Sequence, residues 1–281
     1  MSRALRAAAA LAVLGAAPIV VEAKDLTPGV REGGLLDVPA AGFNPPVSGL
    51  RAVVAANPFA RQAASASEKA WTTAARPAPF VFATARYDSG DWDSAPLVPT
   101  NLIHSIAQYT SIPVAPQGAV VDLASPELFR FPFVYLTGHL PVRFSQQESA
   151  NLKAYVERGG FVFIDDHNHD VDGAFHKTAT AELRRIFGAG ALREIPNSHE
   201  LYRAFFTFAE GPPTTSHELN GWGDNMVHEH LQGIEVGGRL GVLYSNKDYS
   251  SEWGYHYRNK RFQSLDNTRF GVNIIVYALT R

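Results

Sequence analysis

The sequence predicts one α/β domain over residues 78–281, built on a mostly parallel, flavodoxin-like sheet with helices on both faces. Three observations predict it. Strand-like and helix-like segments alternate from Pro79 to the C-terminus. Two of the strands, Phe133-Val134-Tyr135-Leu136-Thr137 and Phe161-Val162-Phe163-Ile164-Asp165, are continuous apolar runs of the kind buried on both faces of a sheet. Between them, Ser145-Gln146-Gln147-Glu148 reads as a capping box. It opens a helix with Leu152, Tyr155 and Val156 facing inward, and Gly159-Gly160 stops it.

The remaining elements follow in order. Residues 80–87 read as the first strand, and a polar loop runs to Pro99. A helix capped by Thr100 or Asn101 then carries Leu102, Ile103, Ile106 and Ala107 on one face. Residues 119–123 make a short strand, 180–187 a helix and 198–205 a short helix. Residues 231–236 and 239–244 flank Gly237-Gly238 as a hairpin. Phe270, Ile274, Ile275 and Tyr277 suit a final packed helix over 266–279.

The N-terminus predicts export. Arg3 and Arg6 precede an apolar run from Ala7 to Val21, and Val21-Glu22-Ala23 offers a cleavage site, so residues 1–23 read as a signal peptide. The run is shorter than the roughly 20 residues of a membrane-spanning helix, and the mature chain carries no span. Residues 24–77, rich in Ala, Pro and Gly, read as a tether, with a short helix at 67–73. The expected location is periplasmic or secreted. The chain has no cysteine, which excludes disulfides, a thiolate nucleophile and Cys-ligated metal. Losing residues 1–23 removes two positive charges and one negative, moving the net charge from −2 to −3. That balance gives no case for nucleic acid.

Ligands of open α/β sheets bind beyond the carboxyl ends of the strands. Four candidate strands end in polar, titratable clusters: Asp88-Ser89-Gly90-Asp91-Trp92, Gly138-His139, Asp165-Asp166-His167-Asn168-His169-Asp170, and Ser245-Asn246-Lys247-Asp248. On one rim they would form a site. Catalytic candidates are His139, Asp165 and Asp166. Ligand-binding candidates are Asp88, Gly90, Asp91, Trp92, Gly138, Ser245 and Trp222. Metal candidates are His139, Asp166, His167 and His169, with Zn, Mn or Fe as the ion. Each cluster also has a plainer reading, as a solvated turn or a hydrogen-bonded polar loop.

Known local motifs are absent. His167-x-His169 is followed by Asp170-Val171-Asp172, which breaks the H-x-H-x-D-H pattern, and neither His217-Glu218 nor His228-Glu229 continues as H-E-x-x-H. No G-x-S-x-G elbow, phosphate loop or G-x-G-x-x-G run is present, so no nucleotide cofactor is expected. The stretch 211–233, with His217, Trp222, Asp224 and His228, reads as a lid or insertion.

Four segments taken in order resemble the bacterial domain of unknown function 4159. They are Arg86-Tyr87 to Gly90-Asp91-Trp92, Phe133 to Gly138-His139, Gly159-Gly160 to Asp165-Asp166, and Gly271-Val272-Asn273 to Thr280. The resemblance covers residues 78–281 and implies a class I glutamine amidotransferase-like fold, related to ThuA-like proteins. That fold's catalytic cysteine elbow is missing here, so no mechanism comes with it. The expected function is a metal-assisted hydrolase working at the rim. The alternative is a non-catalytic binding or scaffold protein for a sugar, a cell-wall fragment or an envelope protein partner.

Overall fold

A computed structural model describes residues 78–255 and 264–281. Residues 1–77, where a signal peptide, a tether and a short helix are expected, lie outside the described residues. Seven strands form one sheet in the order β2-β1-β3-β4-β7-β6-β5. The first five in that order are β2 (Ala119–Asp122), β1 (Ala83–Arg86), β3 (Phe133–Gly138), β4 (Phe161–Asp166) and β7 (Arg239–Ser245), all paired in parallel. β6 (Gln232–Val236) is antiparallel to β7, and the two-residue β5 (Arg193–Glu194) is antiparallel to β6. The sheet is therefore mixed, parallel over its larger part, with an antiparallel margin. The Gly237-Gly238 turn makes that margin, because a two-residue hairpin joins only antiparallel strands.

Strand alternation divides the core in two. Phe133, Tyr135, Phe161 and Phe163 face one side, where α1 (Val98–Tyr109), α5 (Tyr249–Trp253) and α6 (Leu265–Thr280) pack. In-register pairing stacks Phe133 on Phe161 and Tyr135 on Phe163. Val134, Leu136, Val162 and Ile164 face the other side, under α2 (Gln146–Glu157) and α3 (Ala174–Phe187). Both faces are covered, which explains the unbroken apolar runs. Among the described residues no helix is long and apolar enough to cross a membrane.

The Ser145–Glu148 capping box forms as the spacing predicts, with both reciprocal bonds. Two helix starts differ. α1 begins at Val98, two residues before the expected cap, because Pro99 sits in its first turn, where a missing N–H costs nothing. The Asn101 side chain instead donates to the carbonyls of Trp253 and Tyr255. α3 begins at Ala174 rather than at residue 180, because Phe175 and Ala179 bury its first turns. The expected short helix at 198–205 is a single 3₁₀ turn, Glu200–Arg203. Two five-residue helices, α4 (Ser216–Asn220) and α5, carry no periodic signal in the sequence.

Candidate active site at the sheet rim

β1, β3, β4 and β7 are consecutive neighbours running the same way, so their carboxyl ends share one rim. Strand order reverses between β1 and β3, since β2 lies to one side of β1 and β3 to the other. That crevice is where open α/β sheets bind ligands. Asp91 and His139 meet across it. Asp91 Oδ1 accepts from the backbone N–H of His139 (2.8 Å) and of Leu140 (2.9 Å), and Oδ2 accepts from His139 Nδ1 at 2.8 Å. Burial pushes the Asp91 carboxyl up, but these donors outweigh it and hold the group below the ordinary Asp range. The His139 ring is thus fixed with its Nδ1 proton on Asp91 and its Nε2 lone pair free to point outward. Its side chain is 40% exposed, which leaves room for a substrate.

Gly138 makes this approach possible. A Cβ there would stand 2.6 Å from Tyr87 Oη and 2.9 Å from Asp91 Oδ1. The Gly138→Ala variant is expected to lose about 1–3 kcal/mol of stability through this overpacking, measured by urea denaturation, and to displace Asp91 from His139.

The other strand ends extend the cluster. The His167 ring, after β4, stacks on His139 with centroids 4.2 Å apart. Burial and the neighbouring imidazoles His139 and His217 lower its pKa to about 3, so the ring is neutral. Asp248, after β7, lies 3.6 Å from His167 Nε2 and 2.6 Å from His217 Nδ1. Burial raises the Asp248 carboxyl well above its ordinary range and lowers the His217 imidazole. The His217–Asp248 contact is thus a close approach of an imidazole nitrogen to a buried carboxylate. The half-exposed Trp222 leans on His217, ring centroids 4.6 Å apart.

Asp165 and Asp166 lie beneath this surface, both with no exposed area. β4 continues through them and is paired on both sides. Asp165 Oδ2 accepts from Ser250 N–H and Oγ–H, each at 2.6 Å, which ties the start of α5 to β4. Asp166 Oδ1 accepts from Asn168 N–H at 3.0 Å. Burial raises each carboxyl to about 7; the charge of Asp248 adds to the shift at Asp165, and that of Asp165 to the shift at Asp166. A folded-state pKa above the unfolded one gives stability that is complete below about pH 3.8 and lost as pH rises through about 7. The stability of the native protein relative to Asp166→Asn is therefore expected to fall across that window and level off above it. Urea midpoints taken on both proteins through the range measure this.

The remaining candidates are dispersed. Asp88 is exposed and touches Glu148 Oε1 through its backbone N–H. Gly90 turns the loop with a φ of 73°. Trp92 packs partly buried against the α2–α3 side of the core. Ser245 is buried, and its Oγ accepts from Lys247 N–H. His169 is fully buried. Its ring faces Asn246, Met226 and Asp224. His217 and Asp248, which the arrangement places at its centre, are absent from the sequence-derived set; their only sequence signals are a strand end and a loop rich in histidine.

The arrangement offers an oriented base facing solvent, two further imidazoles and a buried carboxylate, on a rim with an aromatic edge. No curated protein matches the chain. The family described as Domain of unknown function (DUF4159) matches over residues 81–279, which takes in every strand end described above. The chain belongs to that DUF4159 family.

Proposed function

We propose that this protein is an exported hydrolase that activates water with the Asp91–His139 pair. The single observation that carries the reading is the double hold of Asp91 on His139 across the β1/β3 crevice, backed by a third bond from the Leu140 N–H. His139 Nε2 takes a proton from a water molecule, and the water oxygen attacks an electrophilic centre of the substrate. Asp91 stays ionised and stabilises the imidazolium, which then returns its proton to the leaving group. Neutral His167 stacks behind the ring and shields it from bulk water. Trp222 gives the substrate an apolar platform, which favours a glycan or cell-wall fragment. The strand order 2-1-3-4-7 supports a flavodoxin-like arrangement and descent from the amidotransferase-like superfamily, with its thiol replaced by water chemistry. The signal-like residues 1–23 support a periplasmic or secreted location.

The test is turnover of a panel of peptidoglycan fragments and simple esters, amides and glycosides by the mature protein and by His139→Ala. Hydrolysis by the native protein that disappears in the variant is the expected result. Equal rates for the two would remove the reading. A second reading, non-catalytic recognition of a glycan or envelope partner, is favoured by the exposed apolar group Leu219, Trp222, Met226 and Val227 beside the rim. It expects binding without turnover, lost in Trp222→Ala and retained in His139→Ala.

A further inference from the structure

We propose that His169, Asp224 and His228 bind one divalent transition-metal ion, which fastens the 215–230 segment to the rim of the sheet. This site is separate from the His139 cluster and stands or falls independently of the catalytic reading. One ligand atom from each of the three residues lies within 4.8 Å of the other two.

The oxygens around His169 favour positive charge, which a second ring proton or a metal ion can supply. Its Nδ1 faces the Asn246 carbonyl at 2.7 Å, and its Nε2 faces the Met226 carbonyl at 3.0 Å and Asp224 Oδ1 at 3.5 Å. A neutral imidazole has one N–H. With that proton on the Asn246 carbonyl, the Nε2 lone pair points at two further oxygens. His228 repeats the conflict, since its Nε2 lies 2.9 Å from Asp224 Oδ2 and 3.0 Å from the Asn246 amide nitrogen. Two imidazole nitrogens, a carboxylate and a carbonyl therefore converge on one spot, buried at His169 and partly buried at Asp224 and His228. A divalent ion between the two Nε2 atoms and Asp224 takes up both lone pairs and the carboxylate at once, with the Asn246 amide nitrogen turned away.

The surroundings hold the ligands as a metal site requires. The carbonyl on His169 Nδ1 fixes the ring so that Nε2 is presented. His169 takes a left-handed backbone with φ of 51°, a conformation that persists only where its surroundings impose it. Gly223 packs so closely that a Cβ would come within 1.8 Å of the His169 carbonyl oxygen. The His228 backbone is gripped on both sides, its N–H by Glu218 Oε1 (2.8 Å) and its carbonyl by Lys247 Nζ (2.7 Å). Asp224 and His228 lie outside helices and strands, so the small closure to coordination distance breaks no ladder. Two histidines and one carboxylate with an open position suit Zn or Fe(II). The same segment carries His217 and Trp222, so the ion sets how firmly both are held against the rim.

The experiment uses the untagged mature chain, stripped with a chelator and titrated with Zn²⁺ and Co²⁺. Bound metal is counted after desalting, the cobalt absorption band is recorded, and thermal unfolding is followed. One equivalent is expected, with a raised unfolding midpoint. His228→Ala and Asp224→Asn should each weaken binding by at least about 100-fold, while His139→Ala leaves it intact. Asp224→Asn preserves side-chain shape and carries the test if His228→Ala does not fold. Less than about a tenth of an equivalent on the native protein would overturn the proposal. So would full binding in both ligand variants, or binding lost in His139→Ala, which would place the ion in the neighbouring cluster.

Discussion

Replacing Lys247 with methionine is expected to lower the stability of the domain by about 3–5 kcal/mol. Lys247 has no exposed area, and its Nζ donates to Glu218 Oε1 at 2.5 Å and to the His228 carbonyl at 2.7 Å. Burial pulls its pKa down while the Glu218 carboxylate pulls it back up. The pair is a balance of two desolvation costs against one close attraction. Methionine fills the same volume but leaves Glu218 buried, with only the Thr215 and His228 N–H groups as donors. An uncompensated buried carboxylate is the costly outcome. The midpoint of thermal unfolding should fall by about 10 °C, at roughly 2–4 °C per kcal/mol for a domain of this size. The double variant with Glu218→Gln removes the orphaned charge and should recover part of the loss. Calorimetry and urea denaturation of the three proteins measure it; a loss under about 1 kcal/mol in the single variant would contradict a fully desolvated pair.

Asp91→Asn is expected to reduce turnover by about 10²–10⁴-fold with the fold intact. The asparagine oxygen still accepts from the backbone N–H groups of His139 and Leu140. Its amide nitrogen is then left facing His139 Nδ1, and an amide nitrogen only donates. The imidazole must shift its proton to Nε2, the atom whose lone pair the reaction needs. Substrate binding is untouched by this change, so kcat falls while KM holds. His139→Ala should cost a similar factor, and the double variant little more than either, because the two act as one unit. Steady-state kinetics on whichever substrate the panel identifies decides it; a loss under about threefold in Asp91→Asn would separate Asp91 from the chemistry.

Much of the scaffold was legible because its signals are local. The capping box at Ser145–Glu148, the Gly237-Gly238 turn and the apolar runs of β3 and β4 each act within a few residues. The helix starts were misplaced where another local rule intervened, as Pro99 did in α1. The five-residue helices α4 and α5 were invisible, since they are too short to show a period and are held by tertiary contacts instead. Glu252 of α5, for example, accepts from the backbone N–H of Ser216 in α4.

The site divides along the same line. Sequence order alone placed Asp91, His139 and the Asp165–His169 run at strand ends, because a strand's end is a local property. It could not rank them. Asp165 and Asp166 looked like catalytic carboxylates, yet β3 and β7 flank them and Ser250 of α5 takes up Asp165. Asp91 and His139 stand 48 residues apart, and Asp224 and His228 reach His169 from more than 50 residues away. A carboxyl or imidazole acquires its role from desolvation and from the donors around it, and distant loops supply both. The sequence by itself determined where strands, turns and polar clusters fall along the chain. Only the tertiary structure decided which of those groups are hydrogen-bonded to one another, which come within coordination reach of one another and which are buried.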